Sequence, residues 1–432
     1  MESGEFLKKL ILFILPLLVF AVSCGTQSVD NNPKKVSAQI YSFVPDVEKN
    51  YKGIESYIAE SLRKKKSKID ISKYGVSIDD LPQVYRSALF TNPDIFYADA
   101  ASFNYDYDIN NKIFYIYPEY IVRKNEIPDY IKKFDNTVND FLKQVDNNLS
   151  DFEKALTIHD KIICDCKYKS GEGLVYTAYG ALVNREAVCE GYTRAYSYLL
   201  YKAGISNKCL DNVMEHHCWN LVQIDKKWYH ADLTDDDPTP DTCGYVSHEC
   251  FLISDSKLDS FKYEEHIGYK SDVTYENEYT CSSKSYDSSF FRGILSCIYV
   301  KNSVYYYIDN NYQNKNYSAF IARNGNKIEV VDNIKDRWYS VDNEEYTNSF
   351  SKLCYIDGYF FYNTPKCIYS YNLIDNKIKA EYNSTDNEQN DFYGLMTNGR
   401  NIIADKKKSP LKEGEREKIL YIDKNKSVKV LS

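Results

Sequence analysis

A cysteine stands at the mouth of a strongly patterned segment. In Ala187-Val188-Cys189-Glu190-Gly191-Tyr192-Thr193-Arg194-Ala195 and beyond, apolar positions fall at Tyr192, Ala195, Tyr196, Leu199, Leu200 and Ala203. That spacing predicts one face of a helix, and Gly204 supplies its stop. Cys189 then lies in or just before the first turn. Unpaired N–H groups and the positive end of the helix dipole favour a thiolate there, and the thiolate is the nucleophilic form.

Two further stretches carry the groups a thiolate needs. Glu215-His216-His217-Cys218-Trp219-Asn220-Leu221-Val222 and Trp228-Tyr229-His230-Ala231-Asp232-Leu233-Thr234 have the aromatic, β-branched look of strands. Asp225-Lys226-Lys227 between them suits a tight turn. An antiparallel pair sets His217 beside Asp232. The imidazole takes the thiol proton and later protonates a leaving amine. The carboxylate fixes its tautomer and stabilises its cation. Cys189 attacks an amide carbonyl, and the tetrahedral oxyanion collapses to a thioester. Attack by water on the thioester makes a peptidase or amidase; attack by an amine makes a crosslinking enzyme. The three residues serve both outcomes.

These motifs resemble the transglutaminase-like superfamily of cysteine acyltransferases and proteases, in its bacterial extracytoplasmic branch. Ala187-Val188-Cys189-Glu190-Gly191-Tyr192 matches the nucleophile motif, and His217-Cys218-Trp219-Asn220 the His-x-Trp-Asn strand. Trp228 to Thr234, with Asp236-Asp237-Pro238, matches the aspartate strand. Upstream, Ala155 to Asp160 and Tyr179-Gly180-Ala181-Leu182 extend the likeness to roughly residues 151–240. The family's histidine, two residues before Trp-Asn, selects His217 over His216. Asp235 departs from the pattern, where the family carries tryptophan. The resemblance implies an α+β, papain-like core with the nucleophile helix packed on an antiparallel sheet. It implies a Cys189-His217-Asp232 triad that needs no metal or cofactor. It also implies an oxyanion donor from an aromatic side chain upstream of the cysteine, for which Tyr168, Tyr176 and Tyr179 are the candidates.

These elements sit in a longer chain. Its 432 residues suffice for two to three domains, and 43% hydrophobic content for true cores. With 54 basic against 62 acidic residues, nucleic-acid binding gets no support. Residues 1–24 read as a lipoprotein signal peptide: Lys8 and Lys9, an apolar run from Leu10 to Val22, then the lipobox-like Ala21-Val22-Ser23-Cys24 with Cys24 as lipidation site. The protein is expected to be exported and anchored by lipid, facing the extracellular side or a periplasm. Its partners are then a protein or peptide substrate, cell-wall peptides included, and the membrane. The competing class is a catalytically silent surface lipoprotein that keeps the scaffold and only binds.

Polar residues 25–45 read as a tether. Residues 46–150 read as an α+β module: helices over 47–66, 81–90 and 127–145, with strands 101–108 and 112–119 turning at Asn110-Asn111. Arg63-Lys64-Lys65-Lys66-Lys68 reads as the solvated end of its first helix. No constellation in this module suggests chemistry. The catalytic core spans 151–284, opening on a helix capped by Ser150 and Glu153. His159 on that helix reads as structural. Asp235 to Asp241 reads as a solvated acidic turn, and Tyr245 to Ser254 as a strand. Residues 285–432 form short strands, expected as a small sandwich or a partial propeller-like sheet. Val304–Asp309, Gly358–Tyr362 and Ile368–Leu373 look like a loose repeat.

Of 12 cysteines, setting aside Cys24 and Cys189 leaves an even number. That permits disulfides without fixing their pairing. Cys243 with Cys250, and Cys354 with Cys367, are the local pairs to examine. Cys209, His216 and Cys218 match no common zinc spacing.

Overall fold

Helices and antiparallel sheets combine in the computed structural model, which describes residues 34–37, 47–212, 215–267, 269, 279–312, 317–339, 346, 349–384, 390–410 and 415–431. The leader with Cys24 lies outside the described residues. Among the described residues no helix is long and apolar enough to cross a membrane.

The first sheet takes β1 (Lys34–Ser37), β2 (Ile69–Asp70), β3 (Ala98–Tyr107) and β4 (Ile113–Tyr120) in the order β1-β3-β4-β2. The tether expected over 25–45 is corrected at residues 34–37. They pair antiparallel with β3, supplying backbone partners to an edge that would otherwise be open. The helix expected over 47–66 is shorter. Gly53 adopts φ +79°, which breaks it, and α1 runs Ile54–Arg63. The Glu48 carboxylate accepts from the backbone N–H of Gly53 at 2.6 Å and of Glu55 at 3.0 Å, satisfying the helix start from outside. Helix α2 (Leu81–Phe90) carries Pro82 in its first turn, where no N–H is missed, and ends before Asn92-Pro93. Helix α3 (Ile127–Leu142) buries Ile127, Phe134, Val138 and Phe141.

Helix α4 (Asp151–Asp165) begins at a complete capping box. The Glu153 amide donates to Ser150 Oγ at 3.3 Å, and the Ser150 amide to Glu153 Oε2 at 2.9 Å. Two short strands, β5 (Lys167–Tyr168) and β6 (Glu186–Ala187), pair in parallel and deliver the chain to α5 (Cys189–Lys202). The central sheet holds β7 (Asn207–Asn212), β8 (His217–Ile224), β9 (Lys227–Ala231) and β10 (Phe251–Ile253), in the order β10-β9-β8-β7. Asp225 and Lys226 both take positive φ, 50° and 65°, the signature of a two-residue hairpin turn. Helix α5 is tied to this sheet: Thr193 Oγ1 donates to the Cys218 carbonyl at 2.9 Å, and Asn220 Nδ2 to the Thr193 carbonyl at 3.0 Å.

The strand expected over 245–254 contracts to Phe251–Ile253 because side chains take the backbone groups. Asp236 accepts from the Cys250 N–H at 3.0 Å, and the Arg292 guanidinium donates to the carbonyls of His248, Glu249 and Leu252. The acidic run 235–241 is likewise not a solvated turn. Asp236 and Asp237 are buried, with Asp236 held by His159 and Asp237 by the Tyr192 hydroxyl.

Three four-stranded antiparallel meanders follow, each in sequential order. The first holds β11 (Tyr299–Lys301), β12 (Val304–Asp309), β13 (Ser318–Asn324) and β14 (Lys327–Ile334). The second holds β15 (Leu353–Ile356), β16 (Tyr359–Asn363), β17 (Cys367–Asn372) and β18 (Lys377–Asn383). The third holds β19 (Asp391–Asn398), β20 (Asn401–Lys407), β21 (Glu415–Ile422) and β22 (Val428–Val430). Of the three repeated pieces, two are second strands of their sheets and the third is β17, a third strand. The third sheet grips the loop beyond Asp232. The Leu395 N–H donates to the Cys243 carbonyl at 3.1 Å, and Arg416 pairs with Asp241 at 2.5 Å. The approach needs glycine: a Cβ on Gly394 would lie 2.3 Å from the Cys243 oxygen.

The disulfide joins Cys164 to Cys297, and Cys243, Cys250, Cys354 and Cys367 are free. Both local pairings are thereby corrected. The bond ties the end of α4 to the approach to β11, a long-range link that no local spacing announces.

Candidate active site

Cys189 is the first residue of α5, after Val188 in an extended conformation (φ −98°, ψ 179°) and with no side chain capping the helix start. The segment 173–177 lies directly across this turn. A Cβ at Gly191 would fall 2.4 Å from the Val175 carbonyl oxygen, so only glycine admits it. His217 opens β8. Asp232 follows β9 and caps the short helix α6 (Leu233–Asp236).

The ladder pairs Asn220 with Ala231. Continued by one step, it sets Asp232 opposite Trp219, two residues from His217 and on the same face. Asp232 therefore reaches His217 along the diagonal of the pair and not as its directly facing neighbour. The contact is close: His217 Nε2 to Asp232 Oδ2 is 2.5 Å. The second carboxylate oxygen accepts from the Thr234 amide at 3.0 Å, the Thr234 hydroxyl at 2.6 Å and the Asp235 amide at 3.4 Å.

The Cys189 thiol faces the His217 ring and the Cys218 thiol, and both act on its charge. With Nε2 on the carboxylate, Nδ1 is the nitrogen left to His217 for the sulfur. Cys218, then His217, hold Cys189 well below the usual thiol range against the effect of burial. Burial pulls His217 down, but the charges of Asp232 and Cys189 and their hydrogen bonds outweigh it and hold the ring well above its ordinary value. Burial pushes Asp232 up, and the two imidazoles of His217 and His266 overcome it, keeping the carboxylate well below its usual range. The arrangement favours thiolate beside imidazolium.

An aromatic frame fixes the ring. Trp219 stacks on His217 at 5.6 Å and 25°. Its indole N–H donates to His230 Nδ1 at 2.9 Å, and His230 Nε2 faces Asp255 Oδ1 at 3.0 Å. The proton of His230 therefore sits on Nε2.

Of the three tyrosines proposed as oxyanion donors, Tyr168 and Tyr176 flank the cysteine. Burial and the Cys189 charge raise the Tyr168 phenol; burial, Glu190 and then Cys189 raise that of Tyr176. Both keep an O–H to donate. Tyr179 is set aside: its ring is buried against Phe96 at 4.7 Å and Tyr130 at 5.1 Å, in the aromatic core beside α3.

Several further residues contribute to the site. Arg86 enters from α2. Its guanidinium meets Asp211 Oδ2 at 2.5 Å and Glu190 Oε2 at 3.3 Å, while Arg194 holds Glu190 Oε1 at 3.2 Å. Glu190, next to Cys189, is thus clamped from two sides. Burial pushes Asp211 up to about 6 against the pull of Arg86. The i,i+4 spacing of Glu190 and Arg194 is readable in sequence; Arg86 carries no local signal. Behind the site, His159 Nδ1 meets Asp160 Oδ1 at 2.8 Å and its Nε2 meets Asp236 Oδ2 at 3.2 Å, all buried. Among the described residues, the His/Cys/Asp/Glu groups close enough to hold a metal are His159-Asp160-His248, His217-Asp232-His266 and His230-Asp255-Cys281. Cys209, His216 and Cys218 are not among them.

Residues 139–233 match the family model described as Transglutaminase-like superfamily. This segment is transglutaminase-like. The matched span begins in α3 and ends one residue past Asp232, so it carries Cys189, His217 and Asp232 together. A solved structure described as a TGase is similar at 13% identity and a TM-score of 0.21, over 28% of this chain and 41% of that one. The similarity thus spans less than half of that relative's length. No curated protein matches the chain.

Proposed function

We propose that the protein is a cysteine acyltransferase or hydrolase acting on amide bonds of proteins or of cell-wall peptides. The observation that supports this reading is the His217–Asp232 hydrogen bond with Cys189 facing the same ring, inside the transglutaminase-like segment. Cys189 is the nucleophile, and the acyl group passes to it as a thioester. His217 delivers its Nδ1 proton to the departing amine, and Asp232 stabilises the imidazolium meanwhile. The Cys189 amide at the start of α5 and the Tyr168 hydroxyl supply the oxyanion donors, with Tyr176 on the other flank. The core is read as papain-like, a nucleophile helix laid on an antiparallel sheet. The N-terminal module braces that helix through Arg86. The third β-meander closes the acidic loop, and the three together present the polymer. The lipobox-like text at Cys24 supports a lipid anchor and an extracytoplasmic site of action.

A labelled primary amine, supplied with a glutamine-bearing protein, separates the two outcomes of the second step. Each acylation releases one ammonia; amine incorporation approaching one per ammonia assigns a crosslinking enzyme, and ammonia without incorporation assigns a hydrolase. Either activity must vanish in Cys189→Ala. Persistence in that variant removes the proposal.

A further inference from the structure

Asp232 serves two imidazoles. Its Oδ2 lies 2.5 Å from His217 Nε2 and 3.0 Å from His266 Nε2. The turn that carries His266 (Glu264–His266) is pinned from the end of β7: Asn212 Nδ2 donates to the Glu265 carbonyl at 3.0 Å and to the Ile267 carbonyl at 2.7 Å. Asn212 pairs in register with His217, so one strand end holds the backbone at both histidines. The His266 ring is buried and meets Trp219 edge-on at 4.8 Å, while Trp219 lies flat over His217.

The protonation of His266 follows from its surroundings. Nδ1 is buried with no hydrogen-bond partner among the described residues. A bare ring nitrogen is better left without a proton, since an unpaired buried N–H costs more than an unpaired lone pair with nothing facing it. The ring's proton therefore sits on Nε2, aimed at Asp232, with Asp235 Oδ2 beside it at 3.6 Å. Other groups facing this set include Cys189 and Cys218, Tyr168 near Asp232, Cys250 with its thiol 4.0 Å from Asp235 Oδ2, and the Tyr263 ring 5.7 Å from His266.

We propose that His266 is a positioning residue that tunes the base through Asp232. The inference rests on the reading of Cys189, His217 and Asp232 as the catalytic set. A carboxylate that gives part of its charge to a second N–H donor holds the His217 proton less tightly. It also stays ionised and fixed in direction as His217 gains and loses its proton. His266 so limits how far Asp232 raises the basicity of His217, keeping that proton transferable to a leaving amine.

The test is ring-nitrogen NMR of histidine-labelled protein, with the pH dependence of Cys189 alkylation measured in parallel. In the wild type, His266 is expected with its proton on Nε2; a bare Nε2 facing the carboxylate overturns the proposal without any variant. In His266→Phe, which keeps the edge contact on Trp219 but removes the donor, the His217 titration is expected to move up by about half a pH unit or more. His266→Gln, which restores an N–H in place, is expected to return it towards the wild-type value. An unmoved His217 titration in His266→Phe, with Cys189 still reactive in mild acid, overturns the role of His266 and leaves the triad standing. A wild-type Cys189 that reacts only in alkali, as an ordinary thiol does, removes the underlying reading instead.

Discussion

Cys218 faces Cys189 across the start of α5, and its thiol is the largest of the influences that lower the Cys189 thiol. Cys218 is stable in that role. Its contact with Cys189 and its burial hold the Cys218 thiol well above the ordinary range, so it stays protonated where Cys189 is ionised. Cys218→Ala should therefore raise the pH at which Cys189 becomes reactive by about one unit. Cys218→Ser, which keeps a donor, should raise it less. Iodoacetamide alkylation rates against pH, followed at Cys189 by peptide mapping, measure both.

The thiolate–imidazolium pair exists between two limits. Cys189 ionises below its ordinary range, so activity rises there. His217 keeps its proton above its own ordinary value, so activity falls only in alkali. Asp232→Asn removes the charge that holds the imidazolium. The alkaline limb of kcat/KM should move to lower pH, and kcat should fall by about 10³–10⁴-fold.

His159 links stability to pH. Burial works against its charge, but hydrogen bonds to Asp160 and Asp236 and their charges raise it to about 9 from an ordinary 6.5. The stabilisation is complete below pH 6.5 and is lost as pH rises through 9, a difference of roughly 3 kcal/mol at most. Urea midpoints of the wild type should fall across that window. Those of His159→Gln should be lower in mild acid and nearly flat across it.

Arg86 on α2 reaches Glu190 on α5 and Asp211 on β7. Removing one partner of a buried ion pair leaves its counter-charges stranded, at a cost of about 3–5 kcal/mol. Arg86→Met should destabilise the fold by that order, and Arg86→Met with Asp211→Asn by less. Denaturant unfolding of the two variants tests the ordering.

What was readable in the sequence was local. The apolar stripe and Gly204 gave α5 its place, Ser150 and Glu153 gave α4 its capping box, and Asp225-Lys226 gave the hairpin joining β8 to β9. The diagonal step from His217 to Asp232 needed the register, which text alone did not supply. Distant partners left no trace. Arg86 lies 104 residues before Glu190, His266 lies 34 after Asp232 on a short 3₁₀ turn without periodicity, and the Cys164–Cys297 bond closes 133 residues. The apolar text at 245–254 read as a strand because the Arg292 guanidinium that takes its carbonyls comes from a later segment. The third meander escaped the repeat because β20 lacks the aromatic run of β12 and β16.

Covalent trapping tests most directly whether Cys189 is the nucleophile. The protein is treated with a glutaminyl chloromethyl ketone or an activated peptide ester, and the adduct is located by mass spectrometry. One adduct on Cys189 is expected, absent from Cys189→Ala and much slower to form in His217→Ala. Modification at another cysteine, or labelling of Cys189 at the same rate without His217, would contradict the account.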